Sequence, residues 1–134
     1  MLRKITRLVT MLPVLFLMGC GGIKYTSSYY ALMCYHSSLV SSGTISFKEF
    51  KGRFVFKLKR TSGNDGPITY EGSIKEGEIT VFYDVNDTKY DLFSLSGEET
   101  TSGYSETIEK GKYVYIVLES NGKIKEGSFA FNMN

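Results

Sequence analysis

The chain has no tryptophan, one histidine, two cysteines and two prolines in 134 residues. Each scarcity closes a class of chemistry. With His36 alone, a metal site built on several imidazoles is out of reach. A Ser-His-Asp relay would have to run through that same residue, which has no nucleophile-elbow glycines nearby. Cys20 and Cys34 are too few for a disulfide framework. The glycine-rich stretch Gly63, Asn64, Asp65, Gly66 precedes no helical pattern, so it reads as a hairpin turn and not as a phosphate cradle. Long hydrophobic runs are missing too. The apolar segment from Leu8 to Met18 is short and contains Pro13, whereas a membrane-spanning helix needs roughly 20 apolar residues.

Acidic residues are present but scattered. Glu76, Glu98, Glu99, Glu109 and Glu126 fall at expected turn tips, while Glu71 and Asp91 stand singly on expected wet faces, so no pair shares an apolar pocket that would raise one pKa. The densest cluster, Asp84, Asn86 and Asp87 with Asp91 beyond, offers oxygen atoms to a cation such as Ca²⁺. It departs from the EF-hand loop, because Lys89 stands at the required glycine and Leu95 at the bidentate glutamate. An Asx-rich turn explains it, and no cofactor is implied by any motif.

What is present begins at the N-terminus. Arg3, Lys4 and Arg7, without an acid, precede the apolar run, and a small residue follows it: the three parts of an export signal. Leu17, Met18, Gly19 and Cys20 resemble the lipobox of bacterial lipoproteins, with Met18 larger than is usual at its position. The resemblance implies cleavage after Gly19, a diacylglyceryl group on the Cys20 thiol and fatty acylation, such as by palmitate, of the new amine. Two or three acyl chains, at about 0.8 kcal/mol per buried methylene, anchor a protein where one myristoyl chain does not. The expected organisation is a signal peptide over 1–19, a lipidated Cys20 with a polar tether over 20–28, and one domain over 29–134. The expected location is the extracytoplasmic side of the cell membrane or outer membrane.

Removing the signal removes three of sixteen basic residues and none of the fourteen acids, which leaves a net charge of −1. The basic balance of the whole chain therefore belongs to the discarded segment, and a nucleic-acid partner loses its electrostatic footprint. From Thr44 onward the sequence alternates with period two, the pattern of strands with one buried and one wet face. Expected strands are centred on Ile45–Phe47, Phe54–Leu58, Ile68–Ile74, Ile79–Tyr83, Tyr90–Leu95, Tyr104–Ile108, Tyr113–Leu118 and Ser128–Phe131. About eight short strands at a spacing of roughly 8 to 12 residues predict an all-β, antiparallel β-sandwich of jelly-roll type, with a barrel as the alternative.

The run Tyr29 to His36 fits either a strand or a helical turn. In Lys112–Glu119 neither alternation is polar, as expected of a strand covered on both sides. Three echoes, Ile74-Lys75-Glu76-Gly77, Ile108-Glu109-Lys110-Gly111 and Ile124-Lys125-Glu126-Gly127, read as charged turns closed by glycine before a new strand.

Ten tyrosines and nine phenylalanines are the compositional excess. Phenylalanines suit the core, and tyrosines suit strand edges or a recognition surface. Phe50, Gly52 and Phe54, Gly77-Glu78-Ile79-Thr80-Val81, Gly111-Lys112-Tyr113 and Gly127-Ser128-Phe129 resemble the small secreted β-sandwiches of the bacterial pre-peptidase C-terminal family and short lipoproteins of the same outline. The resemblance implies a jelly-roll-like sandwich with a non-catalytic accessory role, and it transfers no active site. The expected function is therefore binding of an envelope protein or polysaccharide by a membrane-anchored domain. One alternative is a lipid-anchored inhibitor of a secreted hydrolase, with Ser96–Gly103 as its protruding loop; another is an enzyme of unrecognised type.

Overall fold

The computed structural model describes residues 25–134, so the signal and the lipobox residues Leu17, Met18, Gly19 and Cys20 lie outside the described part. Eight strands follow in order: β1 (Ser28–Leu32), β2 (Tyr35–Ser38), β3 (Ser42–Lys59), β4 (Thr69–Ile74), β5 (Glu78–Val85), β6 (Thr88–Ser96), β7 (Glu99–Tyr104) and β8 (Tyr113–Asn132). All pair antiparallel in one sheet. The all-β antiparallel sandwich expected from the alternation is what forms, but two of its strands are long. The expected strands at 45–47 and 54–58 are one continuous β3, and those at 113–118 and 128–131 are one continuous β8.

The pairing register shows how one sheet becomes a sandwich. β1 and β2 lie along β3 in a common register, Leu32 opposite Glu49 and Tyr35 opposite Ser46, so together they act as a single strand broken at Met33. β4 and β5 likewise follow β8 one after the other, and β7 and β6 follow β4 and β5. The molecule is thus five long antiparallel ribbons folded across their middles. Backbone with positive φ marks the crease: Met33 (49°), Glu126 (50°), Gly77 (102°) and Gly97 (72°).

On β3 and β8 the buried positions change parity there, from Ile45 and Phe47 to Phe50, Phe54 and Phe56, and from Ile116 and Leu118 to Phe129 and Phe131. Both halves thereby turn their apolar side inward. Next to the crease β8 carries extra residues: Phe50 faces Ile124 but Gly52 faces Ser120. Such a bulge adds the local bend. Gly52 has φ of 120° and a Cβ there would stand 2.5 Å from the Ser28 carbonyl oxygen of β1, so this corner admits only glycine.

Two of the three charged echoes meet at this crease instead of capping separate hairpins. The Lys75 amide donates to the Lys125 carbonyl (2.9 Å), and the Lys125 amide to that of Glu76 (2.9 Å). In the third echo the expected glycine conformation is taken by Glu126, one residue before Gly127. Ile108-Glu109-Lys110-Gly111 is a turn ahead of β8, with Gly111 at φ 81°.

Rings join the two layers. Phe56 meets Phe131 at 5.8 Å between centroids, Phe93 meets Phe129 at 6.1 Å and Tyr70 at 4.9 Å, and at the rim the exposed His36 meets Phe54 at 5.0 Å. At the open end the layers are tied through backbone where the Lys59 amide donates to the Val40 carbonyl (2.7 Å), while the Met133 amide extends the β3–β8 pairing by donating to the Ser41 carbonyl (2.8 Å). The 60–68 segment, whose Gly63–Gly66 reads as a hairpin turn in sequence, crosses over the end of β8 to reach β4, because β8 separates β3 from β4. Buried Arg60 holds it there, donating to the carbonyls of Asn64 (2.7 Å), Pro67 (3.3 Å) and Met133 (2.5 Å). The Met133 carbonyl, buried with Arg60, would otherwise be desolvated without this partner.

Candidate functional site: two outer faces

Folding one sheet in half gives two outward faces, and they differ. The first belongs to β2, the first half of β3, the second half of β8, β4 and β7. Cross-strand register sets its outward residues in rows: Tyr35, Ser46, Ser128, Ser73, Thr100; then Ser37, Thr44, Ala130, Glu71, Ser102; then Ser42, Asn132, Thr69, Tyr104. Inward neighbours on the same strands are Ile45, Phe129, Phe131 and Ile74, so the period-two alternation that fills the core also exposes these rows.

Five strands at about 4.8 Å spacing make this face roughly 19 Å wide. Short hydroxyl side chains keep it flat, and Glu71 is its one carboxylate, with no lysine or arginine among the rows. Two shallow depressions meet at Ala130 and Glu71, one of about 380 Å³ bounded by Thr44, Thr69 and Asn132, the other of about 280 Å³ bounded by Ser73, Thr100 and Ser128. Tyr35 (70% exposed) and Tyr104 (73% exposed) stand at diagonally opposite corners.

The second face is charged and aromatic. Its rows include Arg53, Glu119 and Thr80; Val55, Val117 and Phe82; and Lys57, Tyr115 and Asp84. Arg53 Nε donates to Glu119 Oε2 at 2.7 Å. Lys57 Nζ lies 4.8 Å from the ring centre of Tyr113, and Lys59 Nζ 5.3 Å from it. The apolar row is covered by Tyr25. Its ring packs edge-on to Phe82 and Tyr115, its hydroxyl donates to Asp84 Oδ2 at 2.7 Å, and Ser27 Oγ accepts from the Val55 amide at 2.9 Å. Tyr25 and Ser27 are therefore packed on the folded body, inside the stretch read as tether through Ser28.

Residues singled out in the sequence are dispersed. Asn86 (φ 56°) and Asp87 (φ 63°) form the two-residue turn joining β5 to β6, a conformation in which both central residues need positive φ. Asp84, two residues before Asn86, is buried and accepts from Tyr25. Among the described residues no three His, Cys, Asp or Glu side chains group as metal ligands. His36 is on β2 against Phe54, and Cys34 is half-buried, with desolvation pushing its thiol above the ordinary value.

The loop expected over Ser96–Gly103 is absent as such. Glu99–Tyr104 is strand β7, paired along its length with β4, because the Thr/Ser alternation there continues the sheet. Ile108, expected in a strand with Tyr104, makes an isolated bridge to Gly66 beyond the end of β7. The hydroxyl face itself went unnoticed in the sequence. Its signal was there: the wet positions of 42–46, 69–73, 100–102 and 128–132 are mostly Ser and Thr, while those of 53–59 are mostly Arg and Lys.

No family model and no curated protein matches the chain. Among solved structures, the EutQ protein of Clostridium difficile is 13% identical over 80% of this chain at a TM-score of 0.33, and the chain spans 64% of its length. A cupin-2 domain protein of Shewanella frigidimarina is 11% identical, covering 85% of this chain and 89% of that one at 0.34. The C-terminal family 6 carbohydrate-binding module of a marine laminarinase from Zobellia galactanivorans is 11% identical, covering 78% and 98% at 0.38. Likeness at this level carries no ligand or activity across.

Proposed function

We propose that the protein is a lipid-anchored, non-catalytic binding protein of the cell envelope, and that the hydroxyl face holds an uncharged polysaccharide. The observation that carries this reading is the set of register-aligned rows of Ser and Thr, flat over five strands, with Glu71 as their only carboxylate. Hydroxyls donate and accept alike, which suits a ligand that is itself a field of hydroxyls. Rows without lysine or arginine, the next outward residue beyond Ser46 being Lys48 at the crease, offer no counter-charge of their own to an acidic polymer. Tyr35 and Tyr104 provide exposed rings against which a sugar face can pack, and the depressions beside Ala130 leave room for the chain between them.

Anchoring is supported by the lipobox-like Leu17, Met18, Gly19, Cys20. A non-catalytic role is supported by the dispersal of the titratable groups: His36 lies against a phenylalanine ring, and Glu71 stands alone in its row of small side chains.

The test of the ligand is retardation in native gels cast with neutral polysaccharides, for which β-glucan, galactomannan and dextran serve as probes. Retardation by at least one of them, abolished by Ser73→Lys and reduced by Tyr104→Ala, is the expected result. Mobility unaffected by all three, or retardation that survives Ser73→Lys, overturns the assignment. The anchor is tested separately: labelled palmitate enters the wild-type chain and not Cys20→Ala.

A further inference from the structure

The charged and aromatic face ends in tyrosine and lysine. From Tyr25, ring contacts lead to Tyr115 (5.5 Å), and Lys57 bridges Tyr115 and Tyr113 at 5.7 and 4.8 Å. Lys59 stacks on Tyr113, which is 53% exposed. Tyrosine rings with lysine side chains beside them are the composition that suits the headgroup level of a membrane interface.

Of the nearby acids, Glu119 is paired with Arg53, Asp84 accepts from Tyr25, Glu109 lies 3.9 Å from Lys112, and Asp87 lines a depression with Tyr113 and Tyr115.

The length of chain ahead of Tyr25 limits which surface lies near the anchor. Five residue steps separate Cys20 from Tyr25, and at no more than about 3.5 Å each they span about 17 Å. Tyr25 is fixed on the charged face, whereas the hydroxyl face lies beyond a second sheet about 10 Å deeper plus its side chains. An anchor at Cys20 therefore brings the charged face to the bilayer and turns the hydroxyl face outward.

We propose that the surface formed by Lys57, Lys59, Tyr113 and Tyr115 docks on the anionic headgroups of the bilayer that holds the Cys20 lipid. The docking rests on the anchored reading above. Lysines near an anionic surface add about fivefold each to its occupancy, and the tyrosine rings sit at the headgroup level.

Because the chain has no tryptophan, a single introduced one reports its own depth. Full-length Tyr113→Trp and Ser102→Trp proteins, on opposite faces, are reconstituted into phosphatidylcholine–phosphatidylglycerol vesicles whose acyl chains carry bromine. Emission of Tyr113→Trp is expected to be quenched at least about twofold and shifted to the blue, with Ser102→Trp unchanged. Adding Lys57→Glu and Lys59→Glu to Tyr113→Trp restores its emission. Equal quenching at both positions, none at Tyr113→Trp, or quenching indifferent to the charge reversal overturns the docking.

Palmitate labelling of the same preparations separates the two readings. Lipid on Cys20 without selective quenching removes the docking surface and leaves the anchor. Selective quenching in a chain without lipid removes the anchor and leaves the surface.

Discussion

On one side of the sandwich Ser46, Ser128 and Ser73 stand in a row; on the other, the same three ribbons present Arg53, Glu119 and Thr80. Backbone pairing is alike in both rows, so the difference lies wholly in the outward half of the alternation. The charged face includes an apolar row, Val55, Val117 and Phe82, and two of these residues are fully covered. Apolar side chains on an outer face need a lid, and the N-terminal segment supplies it through Tyr25. On the hydroxyl face Ala130 is the one aliphatic member of the rows, and among the described residues nothing covers it.

The comparison is broken most completely from within. Phe129 lies 6.2 Å from Phe47 and 6.1 Å from Phe93, with its ring against Gly72, so it belongs to the packing of both layers. Phe129→Ala is expected to cost about 3–5 kcal/mol in urea denaturation and to abolish both faces together. A smaller and one-sided effect is expected from Tyr25→Ala, about 1–3 kcal/mol, since it uncovers Phe82 and takes the hydroxyl from Asp84. Tyr25→Phe separates the two causes by restoring the packing alone. Polysaccharide retardation by the hydroxyl face should survive both Tyr25 variants at temperatures where they are folded.

Between those extremes lies a pH effect confined to the inner side of the charged half. Burial raises the pKa of Tyr83, and hydrogen bonds with the Glu106 backbone and the Ser105 side chain oppose this in part. The folded state therefore keeps the phenol proton at a pH where the unfolded chain has released it. Stability from this group is complete below the ordinary phenol pKa and is lost as pH rises through the folded value. Tyr83→Phe should flatten the alkaline limb of stability against pH above about 10, measured by thermal melts, and leave the neutral region to report only its lost hydrogen bonds.

Much of this architecture was legible because alternation is a local property. Ile45, Phe47, Phe54 and Phe56 announced buried positions, and Lys112–Glu119 announced a central strand, which β8 is through its pairing with both β3 and β5. The crease was not legible. Ile124-Lys125-Glu126-Gly127 has the residues of a hairpin turn, and only pairing with Ile74-Lys75-Glu76-Gly77 across the sheet makes it a bend in a continuous strand. For the same reason Gly63–Gly66 looked like a hairpin: nothing local says that β8 will come between β3 and β4. The site was hidden differently. Serines and threonines distributed over 42–46, 69–73, 100–102 and 128–132 become rows only after four separate registers are set.

The sharpest test of the two faces is expected to change stability least. Ser73 sits outward between Ser128 and Thr100, at the edge of a depression, and its side chain contributes nothing to the core. Ser73→Lys should shift the urea midpoint by no more than about 0.5 kcal/mol, as for a surface position without a special conformation. Its ammonium would nevertheless rise above the row of short hydroxyls and bring to this face the charge that the opposite one already carries. If flatness and neutrality are what the face uses, retention by neutral polysaccharide is lost with stability intact, whereas the reciprocal Lys57→Ser on the charged face leaves it unchanged. Equal losses from both substitutions would mean that the net charge of the molecule, and not the layout of one face, governs binding.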